Sequence, residues 1–247
     1  MTYFAKIKYL GTNFHGFQVQ PQKRTVQGEL CRALSEALGV NCNVTGCSRT
    51  DAGVHANCFC IKVDAEGATV PAEKLPVAVS RFLPEDLSLF WATECDSVFH
   101  PRYDAISKEY VYRIINERVY DPFELGRAWF IPKPITETGF SRMQEAAKII
   151  VGKKDFSSFM SAGSDVSDTV RDVKYLNLER ENSYITVKIC ADGFLYNMVR
   201  IIVGTLIEIA FDRMSVDELQ SLFENPDRRL AGPTAPAEGL YLNKINY

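Results

Sequence analysis

The chain has 247 residues, 46% hydrophobic and 24% charged, with a formal net charge of −3. That length holds one large or two small domains with an ample core, and the composition is that of an ordinary soluble globular protein. The negative balance gives no support to a general phosphate-binding surface, and the seven scattered cysteines argue against a disulfide framework.

Element order is legible along the chain. Residues 2–10 alternate as a strand, with Tyr3, Ala5, Ile7 and Tyr9 on one face and Lys6 and Lys8 on the other. Thr25 caps a helix carrying Val26, Leu30, Leu34, Ala37 and Leu38, and Gly39 ends it. Strands near 42–47 and 57–63 follow. Pro71 opens a helix reaching about Phe82, and 87–95 reads as a strand. The first half is therefore βαββαβ, the ferredoxin-like split unit. The second half repeats that order: a strand at 107–115, an insertion rich in proline and aromatics at 120–134, a helix at 139–151, strands near 170–179 and 184–191, a helix at 195–210, an added helix at 215–223 capped by Ser215, and a strand at 239–247. The expected fold is α+β, two ferredoxin-like halves forming one continuous antiparallel sheet, with helices on one face and an active-site cleft where the halves meet. The halves are expected at 1–104 and 105–247, because Pro101 interrupts the pattern.

The stretch 47–56, Cys-Ser-Arg-Thr-Asp-Ala-Gly-Val-His-Ala, is a polar loop between two strands. It places the Arg49 guanidinium and the Asp51 carboxylate two positions apart, and Gly53 allows a tight turn. Alone, Thr-Asp-Ala-Gly reads as an ordinary turn with Asp51 bonded to its own backbone. Arg200 lies in a helix apolar on nearly all sides, where an unpartnered guanidinium costs several kcal/mol or more. It therefore calls for an acidic partner, either Asp51 or a structural one such as Asp192. Asn197 and Gly204 share its helical face, and Gly204 would let another backbone approach closely. Tyr110 and Tyr112 share one strand face, which by itself suits a half-buried aromatic pair.

His55, Cys47, Cys58 and Cys60 do not have the spacing of a zinc knuckle or ribbon and read as inert, so no metal is expected. Nucleotide-binding glycine loops are absent from the sequence. The N-terminal residues lack the apolar region of a signal peptide. The longest apolar stretch, 195–211, is broken by Asn197, Arg200 and Glu208 and is too short for a bilayer. A cytoplasmic location and no membrane association are expected.

Arg49-Thr50-Asp51-Ala52-Gly53-Val54-His55 resembles the catalytic signature of the TruA family of tRNA pseudouridine synthases. Phe14-His15-Gly16-Phe17-Gln18 and Arg24-Thr25-Val26-Gln27-Gly28 resemble its N-terminal motifs. Phe99-His100-Pro101-Arg102 resembles its Phe-His-Ala-Arg element with proline for alanine, and Lys108-Glu109-Tyr110-Val111-Tyr112 its Lys-x-Tyr-x-Tyr strand. Asp155–Phe159, Met198-Val199-Arg200-Ile201-Ile202-Val203-Gly204 and Thr234-Ala235-Pro236-Ala237-Glu238-Gly239-Leu240 follow in the same order. Ser48 stands where many relatives have glycine.

The resemblance implies an isomerase that breaks the N-glycosidic bond of a uridine in the tRNA anticodon stem-loop, rotates the uracil and rejoins it through C5. That reaction needs no cofactor. It implies Asp51 as the catalytic group acting on a flipped base, with Arg49 filling the vacated space or holding phosphate. Tyr110 would stack on the base, and Arg200 would keep Asp51 ionised. It also implies a homodimer that binds tRNA. Arg102, Lys153 and Lys154 neighbour the motifs and suit phosphate contacts. The rival expectation is a noncatalytic RNA-binding or chaperone-like paralogue, against which Asp51, Tyr110 and Arg200 speak together.

Overall fold

A computed structural model describes residues 1–163 and 166–247. In chain order its strands and helices are β1 (Thr2–Tyr9), α1 (Val26–Leu38), β2 (Asn43–Gly46), β3 (His55–Asp64), α2 (Leu75–Ser80), β4 (Leu87–Glu94), β5 (Ser107–Ile115), β6 (Trp129–Phe130), α3 (Glu137–Ile150), β7 (Gly152–Asp155), β8 (Val170–Glu181), β9 (Tyr184–Ala191), α4 (Met198–Ala210), α5 (Val216–Glu224) and β10 (Leu240–Asn246). They form two α+β units, Met1–Ile106 with Tyr241–Tyr247, and Ser107–Leu240. The second unit thus ends before most of β10, whose residues group with the first.

In the first unit the strands run β4-β1-β3-β10. β1 pairs antiparallel with β3, Tyr3 opposite Val63, and with β4 on its other side. The alternation in β1 is realised: Tyr3, Ala5, Ile7 and Tyr9 are buried, while Phe4, Lys6 and Lys8 are not. The buried side chains join Leu30 and Leu34 of α1, Phe59 and Ile61 of β3, and Leu75 and Val79 of α2 in one core. The Thr25 side chain accepts from Gly28 N–H, and Gly39 takes the left-handed conformation at φ 68°, so α1 begins and ends where its sequence signals lie.

One edge of β3 carries two neighbours. β2 pairs antiparallel with its far end, Asn43 opposite Asp64 to Gly46 opposite Ile61. β10 pairs with its first residues, Tyr241 opposite His55 and Leu242 opposite Ala56, and this pairing is parallel rather than antiparallel. The loop 47–54 leaves that edge between the two.

In the second unit the order is β5-β9-β8-β7, with β6 beside β5 in parallel. β5 and β9 pair antiparallel, Tyr112 opposite Val187. α3 packs on α4 and on β8. α4 is buried on nearly all sides, as its apolar sequence requires.

Several boundaries differ from expectation. The helix expected from Pro71 starts as a 3-10 turn, Ala72–Lys74, and becomes α-helical at Leu75, because Pro76 is tolerated only in a first turn. α3 begins two residues early, where the Thr136 side chain caps it on Gly139 N–H. α4 begins at Met198 because Asn197 sits at φ 61°, outside helical geometry. β7 was not expected: Gly-Lys-Lys-Asp has no apolar alternation and is a strand by its pairing with Val170–Val173 of β8. Among the described residues no helix is long and apolar enough to cross a membrane.

Candidate active site

The loop after β2 is built from the backbone outward. Cys47 N–H donates to Cys60 O at 2.9 Å, extending the β2–β3 pairing by one residue. Val54 N–H then donates back to Asp51 O at 3.2 Å, closing a four-residue turn with Gly53 at φ 81° in its third position. The motif 14–18 lies along this loop. Phe17 N–H donates to Thr50 O at 3.1 Å and Gly53 N–H to Phe14 O at 3.3 Å. Gly16, at φ 87°, is required there, since a Cβ would stand 2.7 Å from Thr50 O.

Side chains fix the loop's direction. Thr50 is buried, and its hydroxyl shares a 2.8 Å hydrogen bond with the Tyr9 hydroxyl. Thr50 is the most buried of the three, with Arg49 exposed and Asp51 half-buried on either side of it. His55 is fully buried, accepts at Nδ1 from Gly11 N–H at 2.9 Å, and stacks on Tyr241 with ring centroids 4.5 Å apart. It is therefore an anchor between the end of β1, the loop and β10. The Cys47 sulfur accepts from Cys60 N–H at 3.3 Å. A hydrogen bond from the Cys60 thiol lowers the Cys58 thiol pKa and raises that of Cys60. Among the described residues no three His, Cys, Asp or Glu side chains are grouped so as to hold a metal ion.

In the second unit, Tyr110 on β5 is 7% exposed and forms a T-shaped pair with Phe194, ring centroids 5.1 Å apart. Tyr112 is completely buried, and its hydroxyl donates to Pro236 O at 2.7 Å. Burial pushes that hydroxyl's pKa well up. Tyr112 thus belongs to the frame and Tyr110 lies closer to the surface.

Arg200 occupies the first turn of α4 and is half-buried. Within its unit it donates through Nε to Ala235 O at 2.7 Å and through Nη1 to Asn197 Oδ1 at 2.8 Å. Ala235 N–H returns a bond to Arg200 O at 3.1 Å. The close approach that Gly204 was expected to permit is that of the 232–236 segment, since a Cβ there would lie 1.8 Å from Pro233 O. The two C-terminal motifs are therefore one clasp around Arg200. Asp192, the structural acid considered for Arg200, accepts instead from Asp172 N–H at 3.0 Å.

Some basic residues suited to phosphate are engaged internally. Lys154 donates to Ile149 O and lies over the Phe223 ring at 5.0 Å, and burial lowers its pKa. Arg24 pairs bidentately with Asp86 at 2.7 and 2.8 Å. Arg228 donates to Gly232 O at 3.0 Å. Arg49, Arg102 and Lys153 are exposed. The supporting roles of Tyr9 and His55 were not read from the sequence; the signal for Tyr9 was its place as the last inward residue of β1.

The family model described as tRNA pseudouridine synthase matches residues 5–104 and 146–247. A protein of Thermoanaerobacter sp. (strain X514) named tRNA pseudouridine synthase A is 40% identical over 241 residues, 98% of this chain and 97% of its own. A protein of Brevibacillus brevis with that name is 41% identical over 241 residues, with the same coverage of both. One of Clostridium tetani, named tRNA pseudouridine synthase A 2, is 38% identical over 244 residues, 98% of this chain and 97% of its own.

Proposed function

The chain belongs to the tRNA pseudouridine synthase family, and on that premise we propose that Asp51 is the group acting on the flipped uridine, with Arg49, Tyr110 and Arg200 serving it. The protein is an isomerase that converts uridine to pseudouridine in tRNA. In that reaction the bond from C1′ to N1 breaks, the uracil turns, and a bond from C1′ to C5 forms. The C5 proton then leaves and N1 gains one, so atoms balance without a redox step or donor.

The observation that carries the assignment is the half-buried Asp51 on a loop pinned at Thr50. A carboxylate held rigidly can act on a nucleoside either as nucleophile or as base. A base stacked in a helix cannot reach it, so the target nucleotide is extruded. Arg49 on the same loop takes the vacated space or the phosphate. Tyr110 offers a ring face and a hydroxyl to the base. Arg200 is included on the match of its motif. We place the target in the anticodon stem-loop and the active form as a cytoplasmic homodimer, both on the family resemblance.

Asp51→Asn tests the assignment. The amide keeps the shape and loses charge and nucleophilicity, so pseudouridine formation should fall by at least ~10⁴, about 5 kcal/mol of transition-state stabilisation. Folding and tRNA binding should stay near wild type. Activity within tenfold of wild type would remove Asp51 from the mechanism. Pseudouridine mapping of total RNA with and without the protein identifies the target positions, and sedimentation reads the oligomeric state.

A further inference from the structure

A cavity of about 190 Å³ opens in the first unit beside Arg49, lined among others by Phe17, Gln27, Arg49, His100, Arg102 and Tyr103. Asp51 is not among its lining residues. Its volume suits a single ring system, below the range of ordinary small-molecule sites.

The wall formed by residues 100–104 is cross-braced by hydrogen bonds. Asp104 N–H donates to His100 O at 3.0 Å, and the Asp104 carboxylate accepts from His100 N–H at 2.9 Å. His100 Nδ1 accepts from Arg102 N–H at 3.2 Å and from Tyr103 N–H at 3.3 Å, which fixes the imidazole ring. The Tyr247 hydroxyl donates to Pro101 O at 2.8 Å and ties the turn to the sheet. Tyr103 lies on His100 with ring centroids 4.2 Å apart, yet remains 75% exposed. Folding thus orients this aromatic ring without burying it.

Charge is placed beside the ring. Arg24, Arg32, Arg113, Arg142, Arg180, Arg213 and Arg229 all have carboxylate partners. Among the described residues Arg49 and Arg102 have none, and both are exposed at this cavity. One oriented aromatic face with two unneutralised guanidiniums is what an unstacked nucleotide needs, the ring for its base and the cations for its phosphate.

We propose that this cavity receives a nucleotide adjoining the target uridine, its base on Tyr103 and its phosphate between Arg49 and Arg102. The assignment rests on the reading of Asp51 above. Arg49 is two residues from Asp51, their Cα atoms at most about 7 Å apart, so the group it holds belongs to a nucleotide near the target. Extruding the target also strips its neighbour of a stacking partner, and the Tyr103 ring replaces that face.

The test is RNA binding in the Asp51→Asn background, where chemistry cannot alter the RNA. The probes are an anticodon-arm hairpin and versions with one abasic site at each of the positions flanking the target. One abasic site should weaken binding about tenfold, the scale of a base–aromatic stack, and Tyr103→Ala should weaken the intact hairpin equally. The two changes together should cost no more than either alone, and Tyr103→Phe should bind within about twofold of Tyr103. Arg102→Ala should reduce the salt slope by about one. Losses that multiply at every flanking position, or no loss from Tyr103→Ala, would overturn the proposal. A loss from Arg102→Ala alone would reduce the cavity to a phosphate contact and overturn it as well. Near-wild-type activity of Asp51→Asn would instead sink the reading of Asp51, an outcome read from modification and not from these binding measurements.

Discussion

Tyr9 and Thr50 share a buried hydrogen bond, 2.8 Å between hydroxyl oxygens, that joins the end of β1 to the residue between Arg49 and Asp51. Both flanking residues ride on the loop that it fixes. Thr50→Val keeps the shape and removes the hydroxyl, so it should cost about 1–3 kcal/mol of stability and lower kcat about tenfold or more through a looser loop. Thr50→Ser should restore most of both. Urea unfolding of Thr50→Val, Tyr9→Phe and the double variant should give a coupling of about 1 kcal/mol. Strict additivity would mean that the pair does not hold the loop.

Gly204→Ala should be among the most damaging small changes in the second unit. Its methyl group would meet Pro233 O at 1.8 Å, and the backbone on both sides is pinned by Ala235 N–H to Arg200 O and Gly232 N–H to Thr205 Oγ1. A loss of about 3 kcal/mol is expected, at the upper end of overpacking costs. Displacing the segment also removes the carbonyl that Arg200 Nε uses. Activity measured well below the melting temperature should therefore fall too, which a purely global destabilisation would not produce.

Asp86 should contribute acid-dependent stability. Hydrogen bonds from Arg24 hold its carboxyl below the ordinary value of 3.8. A carboxyl with a depressed folded pKa stabilises fully above its unfolded pKa, and that stability fades as pH falls through the folded value. Wild type should exceed Asp86→Asn by about 1 kcal/mol near neutrality, the modest scale of a partly exposed pair. The gap should narrow below about pH 4. Chemical denaturation across pH would show this, and a gap constant down to pH 2 would deny the pair any role.

Binding of tRNA should weaken steeply with salt although the chain carries a net charge of −3. Structured RNA is held through phosphates, and each neutralised phosphate adds to the salt slope. Raising salt from 50 to 200 mM should cost at least about tenfold in affinity, more for every further phosphate held. A flat titration would show that no local basic face operates.

What the sequence made legible follows a physical pattern. Local signals succeeded where one residue does one backbone job: the Thr25 cap, the Gly39 stop, the alternation of β1, and the Ser215 cap. Gly204 was readable because a missing Cβ in a buried helix lets another backbone approach closely, here that of Pro233. β7 escaped because its Gly-Lys-Lys-Asp is a strand only through its neighbour, and strand character imposed by pairing leaves no periodicity. The parallel seat of β10 on β3 escaped because register between segments so distant in sequence is set by tertiary packing. In the proposed site, Arg49 and Asp51 stood out through a loop motif, and the structure shows the turn that carries them. Tyr9 and His55 did not, since a strand tyrosine and a buried histidine look like any other core residues until their partners are known. Lys154 misled for the opposite reason, its ammonium being held by its own unit.

The seating of β10 also sets a schedule for synthesis. Tyr241–Tyr247 belong to the unit whose other residues are Met1–Ile106, so a growing chain must add all of Ser107–Leu240 before that unit can close. At about 5–20 residues per second this takes on the order of ten seconds. Throughout, the start of β3 has an open edge and His55 lacks the ring it later stacks on. The half of the molecule made first is the half finished last, and its nascent form is the one most in need of protection from unwanted strand pairing.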